Sequence, residues 1–173
     1  RRQRQMCIRD RVTTCLDEQD RLVVGGCVLS ELAQRYGTPL YVLDEETVRG
    51  TCRAYRDALQ QHYPGKSLPV YASKANSSLL MSSIAAAEGL GLDAVSAGEL
   101  LTALQGGMPG ERMVLHGNNK NDEELLLAYN NKVTVVVDNQ HDLDRLKALI
   151  PADAEPARLM LRFTPGIECH THE

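Results

Sequence analysis

The chain has 173 residues, of which 43% are hydrophobic and 24% are charged, and its formal net charge at pH 7 is -4. This composition is typical of a soluble protein with one hydrophobic core. With 19 Lys and Arg residues against 23 Asp and Glu residues, no dense basic surface can be built. The sequence therefore argues against binding to nucleic acid or to a membrane surface, and it favours chemistry on a small molecule.

Two further features of the sequence concern the cell compartment. The five cysteines are widely spaced and show none of the close pairs typical of a zinc site or a redox centre, which indicates a reducing cytoplasm. There is no run of about 18 apolar residues, so no membrane-spanning helix is predicted. The arginine-rich start would also fit the remnant of a plastid transit peptide. Because acidic residues follow from Asp10 onward, we favour a solvated, poorly ordered extension over residues 1–24.

From residue 25 onward, short apolar runs alternate with longer amphipathic stretches, which is the pattern of repeated strand–helix units. The six predicted strands are Leu40–Leu43, Leu68–Ala72, Leu92–Val95, Met113–Leu115, Val133–Val137 and Arg158–Phe163. The predicted helices are Ser30–Tyr36, Glu45–His62, Ser78–Glu88, Gly98–Gln105, Asp122–Asn131 and Gln140–Leu149.

The alternation predicts an α/β fold. The strand spacing fits a (β/α)8 barrel, and a doubly wound open sheet would give much the same pattern, so the spacing does not decide between the two. If the fold is a barrel, six strands are too few to close it. We then expect residues 25–173 to be the incomplete N-terminal part of a barrel domain.

Candidate catalytic groups are expected at the carboxyl ends of parallel strands. Lys74 follows the strand Leu68–Ala72 and is flanked by small residues, which leave space around its amine. A partly desolvated amine is a nucleophile toward carbonyl groups, as Schiff-base formation requires. The alternative interpretation is a surface lysine in a loop.

Two charged residues lie within apolar strands. Asp93 would be costly to bury alone, so it should face the mouth of the sheet or pair with a cation, for which Lys74 is the nearest candidate. A loop or capping role is the alternative. Arg162 should turn away from its apolar neighbours toward the barrel interior, where a guanidinium suits a phenolate, carboxylate or phosphate. The alternative interpretation of Arg162 is a salt bridge to an acidic residue of a helix.

The histidines are less informative. His116 fits either a hydrogen-bonded structural residue or a cofactor contact. His170 and His172 stand two residues apart, but a third metal ligand at suitable spacing is missing. We therefore predict no metal site.

Six motifs follow one another along the chain. They are Tyr36-Gly-Thr-Pro-Leu-Tyr-Val-Leu-Asp44, Tyr71-Ala-Ser-Lys-Ala-Asn76, Gly91-Leu-Asp-Ala-Val-Ser-Ala-Gly-Glu-Leu100, His116-Gly-Asn-Asn-Lys120, Val137-Asp-Asn139 and Arg162-Phe-Thr-Pro-Gly-Ile-Glu-Cys-His-Thr-His172. In this order and spacing, they resemble the diaminopimelate decarboxylase family of pyridoxal-phosphate enzymes. The resemblance implies a barrel of the alanine racemase type as the first domain.

The resemblance also implies roles for particular residues. Lys74 would be the lysine that forms a Schiff base with pyridoxal 5'-phosphate, with Asp93 close to that lysine and to the cofactor. Arg162 would lie near the phenolic oxygen of the ring, and Ala72 and His116 would line the pocket. The implied reaction is the decarboxylation of meso-diaminopimelate to L-lysine and CO2, a carbon–carbon lyase step of lysine biosynthesis.

The resemblance further implies a homodimer acting on a small amino-acid substrate. The family's ring-stacking histidine, its glycine-rich phosphate loop, its partner-subunit cysteine and its C-terminal β domain would lie beyond Glu173. The chain would then be a fragment that is inactive alone. Two alternatives are a related ornithine, arginine or carboxynorspermidine decarboxylase, and a non-catalytic barrel protein that binds the same cofactor.

Overall fold

The computed structural model describes residues 13–163, 165 and 166. The chain divides into two compact units between His62 and Tyr63. None of the helices in the described ranges combines the length and the apolar character needed to cross a lipid bilayer.

The first unit contains a small antiparallel sheet followed by two helices. Its strands, in spatial order, are β1 (Thr14–Leu16), β2 (Leu22–Val24) and β3 (Cys27–Val28). The helices are α1 (Leu29–Tyr36) and α2 (Glu45–His62). The turn between β1 and β2 is closed by Asp17, whose Oδ1 accepts hydrogen bonds from the backbone N–H groups of Gln19 and Arg21.

Two sequence predictions for this unit are wrong. Residues 14–24 were expected to belong to a poorly ordered extension, but they form β1 and β2. Leu40–Leu43 was predicted to be a strand, and the structure gives it no regular secondary structure. An apolar run becomes a strand only when a neighbour completes its hydrogen bonds. No strand in the described part of the chain pairs with this segment, and Tyr41 is fully exposed.

The second unit is built on a five-stranded parallel sheet. Its strands are β4 (Val70–Ala72), β5 (Gly91–Ala94), β6 (Met113–Leu115), β7 (Thr134–Val137) and β8 (Leu159–Leu161). The helices between them are α3 (Leu79–Ala87), α4 (Ala97–Gln105), α5 (Asp122–Asn130) and α6 (Gln140–Leu149). Short 3₁₀ turns lie at Ser73–Ala75 and Gly110–Arg112.

The strand order decides between the two predicted architectures. Each strand pairs with the one before it in the chain, in the order β4-β5-β6-β7-β8, and all pairs are parallel. A doubly wound sheet reverses its strand order at one point, whereas a (β/α)8 barrel does not. The sheet is therefore a segment of barrel wall.

The two faces of this sheet differ in what covers them. The strand register places Leu92 next to Met113 and Leu115 next to Val135 on one face, and each of these side chains is at most 1% exposed. This face is the core against the helices. The opposite face lines an open cavity of about 330 Å³, whose wall includes Val70, Asp93, Val114, His116, Thr134 and Met160. In a barrel, that face is the interior.

Candidate active site

Polar side chains gather at the carboxyl end of the cavity-facing side of the sheet. Ala72 of β4 is in register with Asp93 of β5, so both side chains belong to the same face. His116 follows β6 two residues after Val114, the register neighbour of Asp93. Strand alternation therefore brings His116 to the same face as Asp93.

His116 and Asp93 are in direct contact. The His116 Nε2 atom lies 3.5 Å from Asp93 Oδ1, which is close for an ion pair but too long for a good hydrogen bond. The backbone N–H of His116 donates to the carbonyl of Ala94 at 2.8 Å, so the β5–β6 ladder continues one residue past Leu115. The sheet therefore fixes the backbone position of His116.

Asp93 is a partly buried carboxyl group at this edge. Its Oδ1 atom is buried and has no hydrogen-bond partner among the described residues. Burial raises the pKa of Asp93 above its ordinary value, while His116, when it is protonated, and Lys74 act to lower it and the carboxylate of Glu99 acts to raise it. A buried carboxyl oxygen without a partner, facing a cavity, is typical of a site that binds a ligand.

Lys74 lies at the adjoining strand end, in the 3₁₀ turn Ser73–Ala75 that follows β4. Its side chain is exposed and lies within electrostatic range of Asp93. The sequence proposed Lys74 as the nearest cation to Asp93. The structure keeps Lys74 nearby but makes His116 the larger electrostatic influence.

Arg162 lies farther along the same edge. Its backbone N–H donates to the carbonyl of Val137 at 2.9 Å, which extends the β7–β8 ladder past Leu161. Alternation gives Arg162 the same face as Met160, which lines the cavity. The structure therefore places Ala72, Lys74, Asp93, His116 and Arg162 at one edge, where the side chains of Asp93 and His116 make a close polar contact. His170 and His172 lie outside the described residues.

Carboxylates at the third position of successive helices make contacts that were not predicted from the sequence. Glu99 Oε2 accepts from the N–H of Val95 at 2.6 Å. Glu124 accepts from the N–H of Asn121 at 3.0 Å and, through its other oxygen, from Ala97 at 3.1 Å. Glu124 therefore ties the start of α5 to the start of α4. The signal was present, since Ser96 and Asn121 each precede a glutamate by three residues, as in a capping box.

A buried lysine was also missed. Lys120 is 3% exposed, and its ammonium group donates to Asp142 Oδ2 at 2.6 Å. Asp138 Oδ1 lies 3.6 Å from the same ammonium group. Lysine is rarely buried unless it is paired, and nothing in the local sequence around Lys120 marks it as buried.

The fold and this edge define a barrel-type α/β domain with a small-molecule site at the carboxyl ends of its strands. Residues 45–173 match the family model described as "Pyridoxal-dependent decarboxylase, pyridoxal binding domain". The chain belongs to this family, and pyridoxal phosphate is the cofactor of the family's domain. The predicted barrel of the alanine racemase type and the predicted family resemblance are confirmed.

Individual relatives and solved structures agree with this assignment. The chain is 44% identical over 94% of its length to diaminopimelate decarboxylase of Synechocystis, covering 36% of that protein, and 41% identical over 93% of its length to the Bacillus subtilis enzyme, covering 37%. It superposes on diaminopimelate decarboxylase from M. jannaschii with a TM-score of 0.82 at 29% identity, covering 94% of this chain and 38% of that one.

A Helicobacter pylori diaminopimelate decarboxylase solved with L-lysine gives a TM-score of 0.74 at 30% identity, covering 83% of this chain and 36% of that one. The chain thus spans little more than a third of the length of the relatives it matches.

Proposed function

We propose that this chain forms the cofactor-binding part of a diaminopimelate decarboxylase, which converts meso-diaminopimelate to L-lysine and CO2. The observation that carries the proposal is the identity of 40 to 44% to diaminopimelate decarboxylases over more than nine-tenths of the chain. Structures of arginine decarboxylase and lysine/ornithine decarboxylase match at 20% and 25% identity. Diaminopimelate is therefore favoured over ornithine or arginine as the substrate.

The residues present fit pyridoxal phosphate. The buried Oδ1 of Asp93 has no protein partner in the described ranges, so a bound group can pair with it. When bound, pyridoxal phosphate supplies an electron-accepting ring that takes up the charge left at the α-carbon when CO2 departs.

Lys74 would hold the cofactor through a covalent bond between its amine and the cofactor aldehyde. The exposed amine extends from the carboxyl end of β4, and Ala72 on the same strand is small enough to leave space for a ring. Arg162 would place its guanidinium near the phenolic oxygen, where a fixed positive charge stabilises an oxyanion.

Asp93 would control the charge near Lys74. Burial favours its protonated form, whereas Lys74, and His116 when it is protonated, favour its carboxylate. The carboxyl group therefore responds to what happens at the Lys74 amine. Its unpartnered Oδ1 can accept a proton, or a hydrogen bond, from that amine once substrate has displaced it.

The proposal also covers the oligomeric state, the type of substrate and the cell compartment of the enzyme. The family resemblance supports a homodimer, with a small amino acid as its substrate. The cytoplasm fits the wide spacing of the cysteines and the bacterial relatives. A plastid location stays an alternative prediction.

The first experiment traps the bond at Lys74. Protein expressed from the natural reading frame through its stop codon is incubated with pyridoxal phosphate, reduced with borohydride, digested and analysed by mass spectrometry. The cofactor mass should appear on the peptide that contains Lys74 and should vanish in Lys74→Ala. Lys66→Ala, which removes an exposed lysine of the same unit, should leave the labelling unchanged. Label elsewhere, or none on folded protein, contradicts the proposal.

A second assay distinguishes the substrates. Release of CO2 is measured with meso-diaminopimelate, ornithine and arginine under identical conditions. We expect release from meso-diaminopimelate above all. Labelling of Lys74 without CO2 release from any substrate would identify a non-catalytic cofactor-binding protein instead.

A further inference from the structure

A buried ion cluster lies beside the turn that follows His116. Its centre is Lys120, whose side chain is 2% exposed. The ammonium group donates hydrogen bonds to Asp142 Oδ2 at 2.6 Å and to the backbone carbonyl of Gly117, and Asp138 lies 3.6 Å away. Asp138 directly follows β7, and Asp142 is in the first turn of α6. One lysine thus connects the carboxyl ends of β6 and β7 to a helix.

Stability is a weak explanation for this cluster. Removing a lysine and a carboxylate from water has a large desolvation cost, and their attraction offsets it only partly. Replacing a buried pair of this kind by apolar side chains of similar volume is often neutral or stabilising. The position in which the cluster holds the turn after His116 therefore explains it better than stability does.

The cluster fixes the turn at both of its ends. Gly117 directly follows His116 and has a φ of +108°, a conformation that favours glycine, so the chain leaves the strand direction there. The Lys120 ammonium group holds the Gly117 carbonyl. The backbone carbonyl of Lys120 itself accepts from Arg145 Nη1 at 2.8 Å. Two residues of α6, Asp142 and Arg145, thus anchor the turn.

We propose that Lys120 is a positioning residue that holds the Gly117 carbonyl and thereby keeps the His116 imidazole against Asp93 Oδ1. The effect of Lys120 on the contact between His116 and Asp93 involves only residues of this chain. Only the consequence for catalysis rests on the proposed decarboxylase function. A loosened turn would let the imidazole move away from Asp93 and would change the charge balance at the edge that carries Lys74.

The test removes the ion pair without changing the net charge. The double variant Lys120→Met/Asp142→Leu is made in protein expressed from the natural reading frame through its stop codon. The matched control is Arg21→Met/Glu31→Leu, which removes an exposed pair of the first unit with a separation of 2.9 Å. Thermal unfolding followed by circular dichroism shows whether each variant folds.

The decisive readout is the titration of the Asp93 carboxyl, followed by carbon-13 NMR and assigned with Asp93→Asn. The charged groups that act on this carboxyl are His116, Lys74 and Glu99. Because His116 acts to lower the pKa of Asp93, its displacement should raise the titration midpoint in the double variant. The midpoint should reach the value found in His116→Asn, whereas the control pair should titrate like the wild type.

Activity gives an independent readout. Misplacement of a group in the site by about 1 Å can lower kcat by roughly 100-fold. The double variant should lose kcat by about tenfold or more, with KM within about twofold of the wild type. A purely structural role would lower the unfolding temperature and leave the Asp93 midpoint and kcat unchanged.

Every outcome of these measurements supports or overturns the role proposed for Lys120. A folded double variant with wild-type Asp93 titration overturns the proposal. If the double variant does not fold, Asp142→Asn is measured in the same way, and an unchanged Asp93 midpoint there overturns it equally. If the wild-type protein releases no CO2, the proposed function fails, while the Asp93 titration still tests the role of Lys120.

Discussion

The His116 imidazole and the Asp93 carboxyl meet across two neighbouring strands, with 3.5 Å between Nε2 and Oδ1. The contact follows from the parallel register, in which Asp93 lies beside Val114 and the His116 N–H bonds to Ala94. The backbone ladder thus brings the two side chains to neighbouring positions on one face of the sheet. Since Asp93 Oδ1 has no hydrogen-bond partner in the described ranges, this carboxyl should be sensitive to substitutions at the sheet edge.

Asp93→Asn should make the protein more stable at neutral pH. Burial raises the pKa of Asp93 in the folded state. As the pH rises, the carboxyl therefore ionises first in the unfolded state, and the free energy of unfolding decreases until the pH passes the pKa of the folded state. Asparagine does not ionise, so Asp93→Asn avoids this decrease in the free energy of unfolding. Urea denaturation should show a higher free energy of unfolding for Asp93→Asn at pH 7, and the difference should disappear as the pH falls well below 3.8, the ordinary pKa of the carboxyl, because both states are then protonated.

The control for this prediction is Asp153→Asn, because Asp153 is exposed. It should show no such pH-dependent gain. If Asp93→Asn were less stable than the wild type at pH 7, the attraction of His116 and Lys74 for the carboxylate would outweigh its burial.

Glu124→Ala should weaken the junction between two helices. Its carboxylate accepts hydrogen bonds from the N–H groups of Asn121 and Ala97, and Asn121 in turn caps the N–H of Glu124. The substitution leaves the Asn121 cap in place and removes two hydrogen bonds, each of which contributes about 1 kcal/mol. We expect a decrease of roughly 2 kcal/mol in the free energy of unfolding. Glu123→Ala, at an exposed neighbouring position, should cost under about 0.5 kcal/mol; equal effects would contradict the junction role.

The helices and parallel strands could be predicted because their signals are local. The apolar spacing within Glu45–His62 and the unbroken apolar run Val133–Val137 predicted α2 and β7 to within one residue. The same kind of signal failed at Leu40–Leu43, because an apolar run does not show whether a neighbouring strand is present. The cost of burying a lone carboxylate predicted that Asp93 faces the mouth or pairs with a cation, and Asp93 lies in the cavity wall. The face predicted for Arg162 from strand alternation stays a prediction.

The sequence could not reveal contacts that depend on residues far apart in the chain. Lys120 is buried because Asp142 lies beside it, on a helix that begins after the next strand. The contact of His116 with Asp93 depends on the register of β5 and β6, which the motifs do not specify. Sequence patterns thus gave the identity of the residues at the edge, and the fold gave their distances.

Substitution of two glycines by alanine should have opposite effects. A Cβ at Gly110 would overlap the backbone carbonyl of Asn131, and a backbone atom cannot move aside cheaply. We expect Gly110→Ala to lower the free energy of unfolding by about 3 kcal/mol. Gly50 lies within α2 with open space around its Cβ position, so Gly50→Ala should raise the free energy of unfolding by about 1 kcal/mol. Urea denaturation measures both, and a mild effect at Gly110 would argue against its close approach to Asn131.

The two faces of the parallel sheet should respond differently to truncation of an apolar side chain. Leu92 is fully buried on the helix-covered face, whereas Val70 on the cavity face is 45% exposed. Leu92→Ala should lower the free energy of unfolding by about 2 to 5 kcal/mol, since a buried leucine leaves a cavity. Val70→Ala should cost less than about 1 kcal/mol. Urea denaturation measures both variants. The comparison is direct if the free energy of unfolding depends on urea concentration with the same slope in each. A larger loss at Val70 than at Leu92 would mean that the cavity face, rather than the helix-covered face, is the core of this unit.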